Sequence, residues 1–193
     1  MESAVFGLLG VLLGGVLTVA KEWWLQWRKD KRDADYLAIQ VVCLLERYVN
    51  ECAAVVGDDG LCEGQADKDG YSSIQVAATK FEPNLLTVEW RSLPTVLMYE
   101  VLDFSRKVES ASQYVSHAFD FATPPDYEEG FEERQYRYAN LGIAASGLAT
   151  RLRQHANLPG SGSDEWNPVA YMQTQLAEIE VRRRGRRVRL GVF

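Results

Sequence analysis

An apolar run from Ala4 to Ala20 passes without a break into Lys21-Glu22-Trp23-Trp24-Leu25-Gln26-Trp27-Arg28-Lys29-Asp30-Lys31-Arg32, and this junction constrains the fold more than any other stretch. Seventeen apolar or small residues in a helix cover roughly 25 Å, a little short of a hydrocarbon core of about 30 Å. Trp23, Trp24 and Trp27 suit the headgroup layer, and Lys21 reaches water along its apolar stem, so the flank closes the gap. The pattern predicts a transmembrane anchor with Trp23, Trp24, Trp27, Arg28 and Lys29 at the membrane interface. Basic residues follow the run and none precedes it, which by the positive-inside rule places the remainder of the chain in the cytosol. The expected location is the inner (plasma) membrane, with the N-terminus outside. Thr18-Val19-Ala20 would pass as a signal-peptide cleavage site, but the positively charged leading segment is missing.

Within the run Gly7, Gly10, Gly14 and Thr18 recur at helical spacing, and Gly10 with Gly14 makes a GxxxG. Small residues let two helix backbones approach closely in lipid, where dispersion contacts drive association. The expected partners are therefore the bilayer and further copies of the chain.

About 160 residues follow the anchor, enough for one domain with its own core. The chain carries −6 overall, yet six arginines lie between Arg182 and Arg189, which leaves an acidic body at −12. An acidic body argues against nucleic acid as its partner, because phosphate contacts need Lys and Arg. Cys43, Cys52 and Cys62 have neither CxxC spacing nor a neighbouring histidine, so no metal site is expected from them. Cys43 and Cys52 read as core residues, and Cys62 as a loop thiol.

From Asp33 to Val56 there is no Pro or Gly, and Leu37, Val41, Leu44, Leu45, Tyr48, Cys52 and Val55 recur as one apolar face, so the anchor helix is expected to continue until Gly57. Residues 58–90 read as an irregular insertion rich in Gly, Asp and Pro; Asp67-Lys68-Asp69-Gly70 fails as a calcium loop because Val76 occupies the bidentate position. A second helix starts at Pro94 with Val96, Leu97, Val101, Leu102, Phe104, Val108, Ala111, Val115 and Phe119 inward, and ends before Pro124-Pro125. The third starts near a capping Asp126 and runs to about Asn157, with Gly142 and Gly147 suggesting close packing. The fourth spans Pro168 to about Arg184, with Val169, Met172, Leu176 and Ile179 inward. The fold class is all-α: residues 1–32 as anchor and basic flank, 33–181 as an antiparallel bundle of about four helices, and 182–193 as an arginine-rich tail.

Trp90-Arg91-Ser92-Leu93-Pro94, Tyr99-Glu100-Val101-Leu102, Pro125-Asp126-Tyr127 and the run from Phe131 to Gly142 give the chain a likeness beyond its pattern. It resembles bacterial membrane-anchored proteins of uncharacterised function with one N-terminal transmembrane helix and a helical cytosolic domain. The likeness covers the anchor and residues 88–157. It implies a shared helical fold and carries no activity.

No catalytic signature is legible: GxSxG, P-loop, GxGxxG and HExxH are all absent, so neither enzyme nor cofactor is expected. Glu128, Glu129, Glu132 and Glu133 with Glu100 and Glu109 could be imagined around a metal, but His117 and His155 do not supply the Glu-x-x-His of bundle di-metal sites. Tyr127, Phe131, Arg134, Tyr136, Arg137 and Tyr138 form the most distinctive local group, and Tyr127, Glu132, Arg134 and Tyr138 are a candidate partner or ligand surface. The alternative is that the rings pack inward while Arg134 and Arg137 pair with glutamates along the helix. Arg182, Arg183, Arg184, Arg186, Arg187 and Arg189 could bind anionic lipid, or pair with the acidic body. The expectation is a non-enzymatic membrane-tethered scaffold that self-associates through its anchor and offers its bundle to a protein partner. Two alternatives stand beside it: a membrane effector acting by anchor assembly, and a ligand-binding domain without a recognisable motif.

Overall fold

In the computed structural model the described residues are 2–78, 80–86, 90–160, 162 and 166–189, the side chains of 2–13 and of 189 excepted. Their regular secondary structure is all helical. Helix α1 runs unbroken from Glu2 to Val56, α2 spans Thr95–Phe121, α3 Glu128–His155 and α4 Pro168–Arg189, with single 3-10 turns at Pro83–Leu85 and Trp90–Ser92. No strand occurs among the described residues.

Helix α1 has two halves of different character. From Gly14 to Asp33 every residue is exposed, and from Ala34 onward one face is buried. The buried face is the expected stripe, Leu37, Val41, Leu45, Tyr48, Cys52 and Val55, with Leu44 at its edge. Cys43 lies on the opposite face and is exposed, so its assignment to the core is corrected: it is nine residues before Cys52, half a turn out of phase. Gly57 ends the helix, its amide donating to Ala53 O at 3.1 Å. Among the described residues no helix carries a stretch long and apolar enough to cross a membrane, and residues 4–13, the larger part of the apolar run, have side chains outside that description.

Helix α3 packs against all three other helices. Its alanines and Gly142 allow this: Ala139, Ala145 and Ala149 are buried, and a Cβ on Gly142 would lie 2.5 Å from Met172 Sδ and 2.9 Å from Cys52 Cβ. Close approach of α1 and α4 therefore requires glycine there. Gly147 faces open space, against the expectation of close packing. Helix α2 packs on α3 and on the two 3-10 turns, and as an edge helix it leaves Val96 and Leu102 exposed, two residues expected inward. Tyr48, Phe81 and Phe104 close the core edge to face at 5.0–5.8 Å.

The start of α3 departs from expectation. Tyr127, not Asp126, holds the N-cap position, in left-handed backbone (φ 51°) and with no side-chain capping bond. Its ring lies against Tyr71, centroids 6.4 Å apart.

The register of α3 fixes the direction of the bundle. Arg153 meets Glu46 of α1, whereas Arg134 meets Val55 and Asp58, so α3 runs antiparallel to α1. Arg183 of α4 meets Glu132 and Met172 meets Gly142, so α4 is antiparallel to α3 in turn.

Candidate functional site

The four residues singled out as a partner or ligand surface do not form one. Arg134 is 2% exposed, Tyr138 4% and Glu132 6%, and Tyr127 is half-buried. Arg134 does not pair with a glutamate of its own helix: Gly130, Phe131, Arg137 and Tyr138 hold the positions three and four residues away, and its partners come from elsewhere in the chain. Its Nη1 donates to Asp58 Oδ2 at 2.9 Å, and its Nη2 donates to Val76 O. Asp58 Oδ1 accepts from Gly60 N at 2.9 Å, while Oδ2 also accepts from Gln75 N and Val76 N at 3.0 and 2.9 Å. A buried carboxylate needs this many donors, and the loop supplies them by wrapping around it. Gly60 makes the wrap feasible at φ 83°, where a Cβ would strike the Phe131 ring. The pair thus stitches residues 58–76 onto α3 and leaves no group for a ligand. Tyr138 packs beside Cys52 and Tyr48. Burial holds both phenols above the usual tyrosine range and pushes the Cys52 thiol up to about 12.

The arginine segment is the end of α4, not a separate tail. The inward stripe of α4 continues from Val169, Met172, Leu176 and Ile179 into Arg183 and Arg186, so guanidinium replaces methyl in its last turns. These meet the acidic start of α3. Arg183 bonds Glu132 at 2.9 Å and Glu133 at 2.7 Å, Arg186 bonds Glu132 and approaches Glu128 at 3.6 Å, and Arg182 lies 3.7 Å from Glu132. Glu133 also accepts from Arg137 at 2.6 Å. Burial opposes ionisation of Glu133, but the bonds from Arg137 and Arg183 outweigh it and hold the carboxyl below its usual range. Arg184 pairs on the surface with Glu180 at 3.4 Å, Arg187 is exposed, and the Arg189 side chain lies outside the described residues.

This arrangement also separates the arginines from the apolar end of α1. The start of α3 lies beside Val55 and Asp58, roughly 35 Å along α1 from Asp33 at about 1.5 Å per residue. That is several Debye lengths at physiological ionic strength, where one is about 8 Å. Of the two readings of this segment, lipid binding requires its return toward the apolar run, but it sits at the far end of the bundle, with Arg182, Arg183 and Arg186 beside carboxylates of this chain.

Elsewhere an open cleft of about 410 Å³ lies between α1, α3 and the start of α4, with Glu46, Asn50, Ser146, Arg153 and Trp166 on its walls. None of the four surface candidates lines it. The ion pair on its wall, Arg153 to Glu46 at 2.6 Å, is internally neutral. Among the described residues no three His, Cys, Asp or Glu side chains converge as metal ligands.

The residues expected at a membrane interface are exposed. Trp23 is 73% exposed, and Trp24 and Trp27 about half. The Arg28 guanidinium lies over the Trp24 ring at 4.3 Å and the Lys31 ammonium over Trp27 at 5.8 Å. Gly14 has nothing within 4 Å of where a Cβ would stand, and Thr18 Oγ1 donates to Gly14 O at 2.9 Å. Gly7 and Gly10 belong to α1, but what surrounds them lies outside the described residues. No family model, no curated protein and no solved structure matches the chain.

Proposed function

We propose that this chain is a non-enzymatic, membrane-tethered interaction protein. The apolar run of α1 is its anchor, and Gly7, Gly10, Gly14 and Thr18 are the face through which copies associate. The observation that carries the reading is the uncovered half of α1. The helix is apolar on several sides over Gly14–Ala20 and every residue of Gly14–Asp33 is exposed, so its apolar part needs another apolar medium. Lipid supplies that medium, and the bond from Thr18 back to Gly14 O removes the polar group that hydrocarbon would penalise. The three indoles then stand at the depth where tryptophan concentrates in membranes.

The bundle supports an interaction role more than a chemical one. Its most unusual side chains, Arg134, Glu132 and Tyr138, are committed to holding the fold. In this reading the tether presents the bundle to a partner, with α1 as the post and the far end of the bundle about 35 Å beyond Asp33.

Alkaline carbonate extraction of membranes expressing the intact chain, followed by sizing in mild detergent, tests both halves of the reading. The expected result is a protein retained in the membrane that runs as a defined oligomer, and as a monomer when Gly10 and Gly14 are both changed to Leu. Release by carbonate would overturn the tether; identical sizes for the two proteins would overturn association through the glycine face.

A further inference from the structure

The collar of α1 between Lys21 and Asp33 is not uniformly basic. At about 100° per residue, with Trp23 taken as the origin, Trp27 falls at about 40° and Trp24 at about 100°. Four cations share that side of the helix: Lys31 at about 80°, Arg28 at about 140°, Lys21 at about 160° and Arg32 at about 180°. The opposite side carries every carboxylate of the collar, with Glu22, Asp33 and Asp30 between roughly 260° and roughly 340°, and Lys29 at their edge at about 240°. One half of the collar is therefore aromatic and cationic, and the other acidic.

We propose that the aromatic–cationic half is a binding site for anionic lipid headgroups. The inference rests on the tether reading and adds to it a lipid class and a face. Three observations carry it. Among the described residues none of Lys21, Arg28, Lys31 or Arg32 pairs with a carboxylate, so their charge is not neutralised within the chain. Asp30, next to Lys31, is engaged on the other side by Gln26 at 2.8 Å, and Asp35, one turn past Lys31 at about 120° and so on the same side, makes no ion pair with these cations among the described residues. Finally, Arg28 and Lys31 are already laid over Trp24 and Trp27. Stacking fixes each cation at the depth of its indole while leaving N–H donors for phosphate oxygens. Arg28 lies about 7.5 Å along the helix from Trp23, within one Debye length of an anionic surface at that depth, and Lys31 about 12 Å, one and a half of them. A neutral zwitterionic headgroup offers the same phosphate but cancels it with its own ammonium, so the site selects lipids with net negative charge.

The test reconstitutes the full chain in phosphatidylcholine vesicles and titrates in dansyl-labelled phosphatidylglycerol or dansyl-labelled phosphatidylcholine, reading energy transfer from tryptophan. Trp90 and Trp166 contribute a background that none of the variants alters. Transfer to phosphatidylglycerol is expected at lower label content than transfer to phosphatidylcholine, with the difference lost at high salt. Arg28→Gln or Lys31→Gln should raise the half-maximal phosphatidylglycerol content about fivefold, and Lys29→Gln, on the acidic half, by less than about twofold. Equal titrations for the two lipids, or equal losses for Arg28→Gln and Lys29→Gln, would overturn the site while leaving the tether standing. Protein that carbonate strips from the vesicles would overturn the tether, and this inference with it.

Discussion

Arg134 Nη1 donates to Asp58 Oδ2 across 2.9 Å, joining two side chains that are 2% and 1% exposed and 76 residues apart in the chain. The same carboxylate accepts three backbone amides, and the same guanidinium reaches Val55 O and Val76 O. Removing either partner leaves a buried charge without its counterion. Arg134→Met is therefore expected to destabilise the bundle by about 3–5 kcal/mol. Asp58→Ala should cost at least as much, because it also strands the amides of Gly60, Gln75 and Val76. Urea unfolding followed by circular dichroism measures both; a loss under about 1 kcal/mol for either would show that the pair is not a keystone.

Gly142 and Gly147 of α3 should respond in opposite directions to the same change. At Gly142 a new methyl meets Met172 and Cys52, so Gly142→Ala is expected to lower stability by about 1–3 kcal/mol through overpacking. At Gly147 the methyl enters open space on a helix interior, so Gly147→Ala should raise stability by about 0.5–1 kcal/mol. Paired thermal melts distinguish the two, and stabilisation by both changes would mean that α1 and α4 do not approach α3 at Gly142.

Thiol chemistry separates the cysteines. Cys43 and Cys62 are exposed, whereas Cys52 is buried, and its thiol is pushed up to about 12, first by burial and only partly relieved by the neighbouring Tyr48. With a disulfide-exchange reagent at neutral pH, two thiols are expected to react at once. The third should follow on the order of a thousandfold more slowly, limited by opening of the bundle. Rapid reaction of all three would contradict the packing of Cys52 against α3.

What the sequence discloses tracks the range over which each force acts. The buried stripe of α1, its end at Gly57, the break at Pro124-Pro125 and the separation of α3 from α4 follow from periodicity and turn chemistry, which are local. The inward face of α4 is equally legible. Val96 and Leu102 mislead because periodicity marks an apolar face without saying how many neighbours will cover it, and α2 lies at the edge. Arg134 misleads for a different reason. Its glutamate neighbours in the chain, Glu132 and Glu133, are visible but do not face it, whereas Asp58 is held in place by a loop whose path no local rule specifies. One signal is available: an acid directly after a helix-ending glycine, followed by Asp59 and Gly60, is the composition of a turn built around a carboxylate. For the arginine segment the sequence leaves two readings open, and the register of α4 against α3 chooses between them.

That register makes the far end of α4 sensitive to acid. Up to Ile179 the helix is held by methyl burial, which is indifferent to pH, and beyond it by guanidinium–carboxylate pairs. Glu133 has its folded pKa below the ordinary value of 4.5, against the pull of burial, because Arg137 and Arg183 bond its ionised form. A depressed carboxylate contributes stability that is fully present above about pH 4.5 and is lost as pH falls through the lower folded value. Arg183 is raised from an already high value, so its contribution persists across the whole acidic and neutral range. The last two turns of α4 should therefore loosen below about pH 4.5 while the Met172–Ile179 segment stays packed. Because Glu133 keeps partial contact with water, the expected change is about 1 kcal/mol rather than the full value of a sealed pair. Glu133→Gln should make these turns less protected at neutral pH and should flatten the acid dependence, since the titrating group is gone. Amide hydrogen exchange of Arg182–Arg187 across pH 3.5 to 7, corrected for intrinsic rates, reads this directly. Protection that stays constant over that range in the unmodified chain would show that α4 is held by its apolar stripe alone.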